Sequence, residues 1–103
     1  MVERAILLLA LLPVTAAAEP RTDRQGELFH LLRQDCGACH GMTLKGGLGP
    51  PLLPATLVER DAEDLAQIIL QGVAGTPMPP WGFEVEPEEA MWLARQLKHG
   101  VPQ

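Results

Sequence analysis

The run Cys36-Gly37-Ala38-Cys39-His40 constrains this chain more than any other feature. Two thiols three residues apart, followed at once by an imidazole, form the Cys-x-x-Cys-His pattern of covalent c-type haem attachment. The thiols of Cys36 and Cys39 are placed to add to the two vinyl groups of one porphyrin. His40 then stands where a proximal iron ligand is needed. These are the only two cysteines in the chain, so neither is left over for a bond elsewhere.

Other readings of the five residues fit less well. A thioredoxin-like redox pair sits after a strand, and no β-branched strand pattern precedes Cys36. A structural zinc site wants four ligands, usually from a second Cys or His pair. Only His30, His40 and His99 are present, and they are not paired at finger spacing. A disulfide across two intervening residues would close a short, strained ring.

The start of the chain speaks to its compartment. Arg4 is the sole positive charge before an apolar run, Ile6 to Leu12. Pro13 breaks that run, and Ala16-Ala17-Ala18 offers a small-residue cleavage pattern before Glu19. Residues 1–18 therefore read as a secretory signal peptide, leaving 19–103 as one domain. The apolar core is too short to span a bilayer, which disfavours an uncleaved anchor. No membrane association is expected after cleavage.

Domains this small bury only roughly 60–65 per cent of their unfolded surface and are marginal alone. The chain has two Phe, two Trp and no Tyr. A buried haem would supply the missing apolar bulk, so the cofactor is expected to be structural as well as functional. The net charge is −5, and there is no basic stripe. That excludes a nucleic-acid partner of the usual phosphate-binding kind. The acidic balance either steers the chain toward a positive docking patch or is simply a solvated surface.

Periodicity divides the domain. From Gly26 to Asp35 the apolar Leu28, Phe29, Leu31 and Leu32 recur at helical spacing and lead into the cysteine motif. Residues 41–55 hold four glycines and three prolines and read as a wrapped loop with no regular element. A second helix is expected over Ala62–Gln71, with Asp61 as N-cap, Leu65, Ile68 and Ile69 as its stripe and Gly72 as its stop. Residues 73–85 form another Gly/Pro-rich loop. A last helix starts at Pro87, with Glu88 and Glu89 in its first turn. Met91, Leu93, Ala94 and Leu97 line its core face, and it closes near Lys98 and His99 before Gly100. No strand pattern is visible.

Three helices, two rigid loops and haem after the first helix resemble the small bacterial cytochromes c of the single-haem His/Met class. The resemblance covers residues 26–99. It is carried by Cys36-Gly37-Ala38-Cys39-His40-Gly41, by Gly49-Pro50-Pro51-Leu52 and by Gly75-Thr76-Pro77-Met78-Pro79-Pro80-Trp81. It implies an all-α cytochrome c fold wrapped around one covalent haem c in the periplasm. It also implies that the Pro50 carbonyl accepts the proximal imidazole N–H, fixing the tautomer and raising ligand basicity. The last run resembles the segment that presents the axial methionine, Met78. Pro77 and Pro79 restrict its backbone, and it lies on no helical stripe. Met42 is two residues beyond His40 and cannot reach the opposite haem face.

The match has departures. The family places a Gly and an aromatic eight and four residues before the first Cys, where this chain has Leu28 and Leu32. Gly26 and Phe29 sit off register. Gln96 occupies the usual aromatic slot of the last helix, and Trp92 lies one turn earlier. The crossing of the first and last helices is therefore expected to be altered, with the distal arm as the weakest part.

A centre with His40 below and Met78 above has six ligands and no open position, so the expected role is an electron carrier rather than an enzyme. The Pro79-Pro80-Trp81 rim and Lys45 are candidates for a docking surface, with Trp81 fitting core packing better. Whole-chain similarity to the small cytochromes c encoded beside cd-type nitrite reductases implies a part in denitrification. The partner would be that reductase or the proteins that mature its haem d. The competing class is a haem-based ligand-binding sensor, or an assembly protein, with a labile sixth ligand.

Overall fold

The structure, a computed structural model, describes residues 5–11 and 19–102. The elements run α1 (Thr22–Leu31), a π-helical turn (Leu32–Cys36), α2 (Gly37–His40), α3 (Pro54–Leu57), α4 (Ala62–Gln71) and α5 (Pro87–His99). There is no β-strand among the described residues. Residues 5–11 are exposed and outside any helix, and the alanine cleavage pattern at 16–18 lies outside the described residues.

The first helix is longer than periodicity suggests. It begins at Thr22, not Gly26, and continues through the π-turn to His40. The early start has a tertiary cause. Arg24 reaches from the first turn of the chain's first helix to its last helix. Its Nε lies 2.5 Å from Glu89 Oε2, its Nη2 3.1 Å from Glu89 Oε1 and 2.8 Å from the Glu84 carbonyl. Nη1 also meets Glu27 at 2.8 Å. At the π-turn the Gly37 N–H reaches back to the Leu32 carbonyl, five residues away. This wide turn rotates the cysteine motif relative to α1 without breaking the helix.

Helices α4 and α5 have the bounds expected of them, and Gly72 and Gly100 end them with positive φ. Asp61 occupies the N-cap position of α4, but its side chain makes no capping bond. Glu89 does the capping for α5, accepting the Glu86 N–H at 2.9 Å. The loop over 41–55 is not wholly irregular. Pro54 opens the short α3, and Thr56 Oγ1 takes the Leu53 N–H at 3.0 Å. Lys98 closes that turn from below, donating to the carbonyls of Leu57, Val58 and Arg60.

The core joins Leu28 and Leu32 to Leu57, Leu65, Ile69, Val85, Ala90, Trp92, Leu93, Ala94 and Leu97. Leu28 and Leu32 are fully buried, so the family slots before the first Cys are core positions here too. Leu28 is too large for a glycine's place, and α5 carries two fully buried alanines, Ala90 and Ala94. The aromatic contact between first and last helices is also present, made off register. The rings of Phe29 and Trp92 lie 5.0 Å apart at 58°, a tilted arrangement that aromatic pairs favour. Met91 is half-buried at the edge of this core rather than inside it.

The clamp between α1 and α5 sets an acid limit on stability. Arg24 holds the Glu89 carboxyl below the usual carboxylate range, chiefly by hydrogen bonding. A carboxyl whose folded value is lowered adds stability above its unfolded value of about 4.3. That stability is lost as pH falls through the lower folded value. Glu89→Gln should therefore be destabilised by about 1 kcal/mol near neutral pH, given the partly exposed pair. The gap to wild type should narrow in acid and close once pH falls below the lowered folded value. Thermal melts at neutral and acid pH check this. A gap that persists in acid would show that the pair contributes through packing alone.

Candidate haem site

His40 ends α2 and is half-buried, with Nδ1 2.7 Å from the Pro50 carbonyl oxygen. A carbonyl only accepts, so Nδ1 carries a proton, and Nε2 is the ring nitrogen left for a metal. A backbone acceptor at Nδ1 orients the ring as metal-binding histidines are oriented. The loop returning over α2 has no slack. The Gly49 N–H binds the Cys39 carbonyl and the Gly46 N–H binds the His40 carbonyl, both at 2.8 Å. These carbonyls are the orphan acceptors of a helix end. Gly49 lies flat on the imidazole. A Cβ there would sit 2.6 Å from His40 Cε1 and 2.7 Å from Nδ1. Nearby Leu44 is buried at φ +60, a conformation that costs a non-glycine residue about 1–3 kcal/mol. Its carbonyl takes the Leu52 N–H at 2.9 Å, which ties the loop to the chain beyond Pro50.

Cys36 and Cys39 are half-buried free thiols. Burial, and then the charge of Asp35, pushes the Cys36 thiol up to about 11. It is thus protonated at neutral pH. Among the described residues no group of three or more His, Cys, Asp and Glu gathers as a metal cage, so the zinc reading finds no ligand set.

Met78 stands on the second loop, half-buried and tied to α4 rather than to the proximal residues. The Val73 N–H donates to the Met78 carbonyl at 3.2 Å. Beyond the prolines, the Trp81 and Gly82 N–H groups return to the carbonyls of Ile69 and Leu70 at 2.8 and 3.1 Å. Gly72 has φ +68, and a Cβ there would meet the Met78 carbonyl at 2.7 Å. Trp81 is half-buried against the core and stacks on Phe83 at 6.0 Å, while Lys45 is exposed. His30 and His99 are exposed on their helices, and Met42 is 60 per cent exposed.

These donors fit a covalently held haem. Two uncommitted thiols and an imidazole held through Nδ1 lie within five residues, and a soft thioether is carried on a separate loop. Sequence alone pointed to each donor. It did not show how closely Gly49 seats the ring or that Thr76 binds the Met78 amide. The Gly-Pro-Pro run was the visible trace of the first.

Known proteins bear out the fold. The family model for cytochrome c oxidase, cbb3-type, subunit III matches residues 23–96. Cytochrome c55X of Paracoccus denitrificans is 46% identical over 97 residues, covering 94% of each chain. Cytochrome c55X of Pseudomonas aeruginosa is also 46% identical, over 86% of this chain and 75% of its own. The solved structure of the c-type cytochrome NirC superposes with a TM-score of 0.77 at 46% identity, over 80% of this chain and 96% of that one. A dihydro-heme d1 dehydrogenase of Pseudomonas aeruginosa is 35% identical over 70% of this chain, but that match is only 15% of the larger protein. The chain thus belongs to the c-type cytochromes of the cbb3 subunit III family, which carry haem c covalently, and it is similar within them to the small cytochromes c55X.

Proposed function

We propose that this chain is a periplasmic carrier of single electrons in a denitrifying system. Residues 1–18 serve as its signal peptide. Cys36 and Cys39 hold the haem by thioether bonds, and His40 and Met78 are the axial ligands. The observation that carries this reading is the hydrogen bond from His40 Nδ1 to the Pro50 carbonyl. It leaves Nε2 as the nitrogen that would meet the iron, while the prolines around Met78 restrict the backbone that carries the thioether. When bound, the haem supplies a reversible one-electron centre. The protein's part is to keep both ligands in place in either oxidation state, so that little rearranges on transfer. Residues 72–83 contain no charged or imidazole side chain. No group there would polarise a bound gas or peroxide, which favours the carrier over a sensor.

Support for the nitrite reductase system comes from the relatives. One is named as a dehydrogenase of dihydro-heme d1 and holds a like domain within its own chain. A free cytochrome of the same build fits as the carrier that exchanges electrons with such an enzyme, or with the cd-type nitrite reductase itself. Two measurements test this. Intact-mass spectrometry of periplasmic protein should give residues 19–103 plus one haem, and a bare polypeptide mass would defeat the haem assignment. Stopped-flow mixing of the reduced or oxidised protein with purified nitrite reductase and with the dehydrogenase should show rapid exchange with at least one. Inertness toward both would remove the proposed partners.

A further inference from the structure

The distal loop contains one hydroxyl, Thr76, and its position is unusual. Thr76 Oγ1 donates to the Val73 carbonyl at 2.8 Å. The same oxygen accepts the backbone N–H of Met78 at 3.3 Å. Pro77, Pro79 and Pro80 have no N–H. The Met78 amide is therefore the only backbone donor between Thr76 and Trp81, and the Thr76 hydroxyl is its acceptor. The Thr76 N–H also binds the Val73 carbonyl, at 3.1 Å, and the Val73 N–H returns to the Met78 carbonyl. Both sides of the Met78 peptide are thus tied to Val73, one directly and one through the hydroxyl. Val73 follows Gly72, which passes so close to the Met78 carbonyl that a Cβ there would lie 2.7 Å from it.

We propose that Thr76 is a positioning residue for the distal ligand, its hydroxyl holding Met78 at the iron against dissociation in the ferric state. This rests on Met78 being that ligand. A thioether is a weak donor to ferric iron, so its occupancy depends on how little freedom the rest of Met78 has. The prolines fix φ at residues 77, 79 and 80, and Pro79 confines Met78 to the extended region, but where Met78 sits within that region is left to hydrogen bonds. Losing the hydroxyl frees the Met78 amide and one acceptor pair on Val73, while the neighbouring prolines and the Trp81 and Gly82 anchors stay. The effect should fall on ligand exchange more than on folding.

The test is imidazole titration of the ferric holoprotein, followed spectroscopically, for wild type, Thr76→Val and Thr76→Ser. Valine keeps the shape and removes both bonds, and serine restores the hydroxyl. Thr76→Val should bind imidazole about tenfold more tightly, equivalent to about 1.4 kcal/mol. Thr76→Ser should return close to wild type, and the ferrous form should resist imidazole in all three. Equal affinity in wild type and Thr76→Val would overturn the proposal. So would tighter binding that serine does not rescue, since that would reflect the methyl group. Met78→Ala in parallel separates the two layers. If its ferric spectrum matches wild type, the ligand assignment is at fault; if it changes and Thr76→Val does not, only the positioning role is.

Discussion

Gly49→Ala should dislodge the proximal imidazole. The new methyl carbon would lie 2.6 Å from His40 Cε1 and 2.7 Å from Nδ1, well inside contact distance. Gly49 cannot retreat easily, because its N–H is bound to the Cys39 carbonyl and its own carbonyl to the Gly47 N–H. The ring cannot move outward without giving up the Pro50 carbonyl. One of these bonds must break, at a cost of about 1–3 kcal/mol by the usual measure of overpacking. Holoprotein yield should fall sharply. Whatever accumulates should have a lower potential or an altered low-spin spectrum, since its histidine has lost a fixed tautomer. Haem-stained yield and ferric spectra of the variant decide the matter. Normal yield with an unchanged spectrum would mean the proximal loop yields more readily than its hydrogen bonds suggest.

Met78→Ala should leave the fold and change the electronics. The distal loop is held by backbone bonds from Val73, Trp81 and Gly82, none of which uses the methionine side chain. The variant should therefore keep its haem and helix content. Its ferric form should lose the weak sulfur-to-iron charge-transfer band and admit an outside ligand. Its potential should drop, because the Met/His pair is what raises it. Spectra and redox titration of purified variant give the answer. An unaltered ferric spectrum would send the search for the distal ligand elsewhere.

Sequence and structure parted company where distant residues decide the outcome. Helices α4 and α5 were readable residue by residue, since apolar spacing marks their buried faces and Gly72 and Gly100 mark their ends. The start of α1 was not readable. Residues 19–25 look like polar tail, yet those from Thr22 onward are helix, because Arg24 finds Glu89 and Glu84 far along the chain. The π-turn at Leu32–Cys36 leaves no compositional mark, because it changes register without needing a Gly or Pro. Asp61 had the right residue type for a cap, but its side chain makes no capping bond. Phe29 and Trp92 looked displaced when each helix was read alone, and they meet because both are displaced. At the site the order reverses. Cys36, Cys39, His40, Pro50 and Met78 announce themselves through local motifs, whereas the supporting roles of Gly49 and Thr76 are matters of tenths of an ångström.

The clamp between the two ends of the domain also has a consequence for the order of events during synthesis. A chain is made from its N-terminus. Cys36 to His40 are available long before Glu89 and Trp92 exist. Until α5 arrives, Arg24 lacks its main partner and Phe29 has nothing to lie against. The cysteine motif therefore passes through a period in which its helix is unlatched and both thiols are open to approach from either side. Docking of the last helix ends that period. The latch sits away from the chemistry, so a variant that weakens it would lengthen the interval for attachment without touching a ligand.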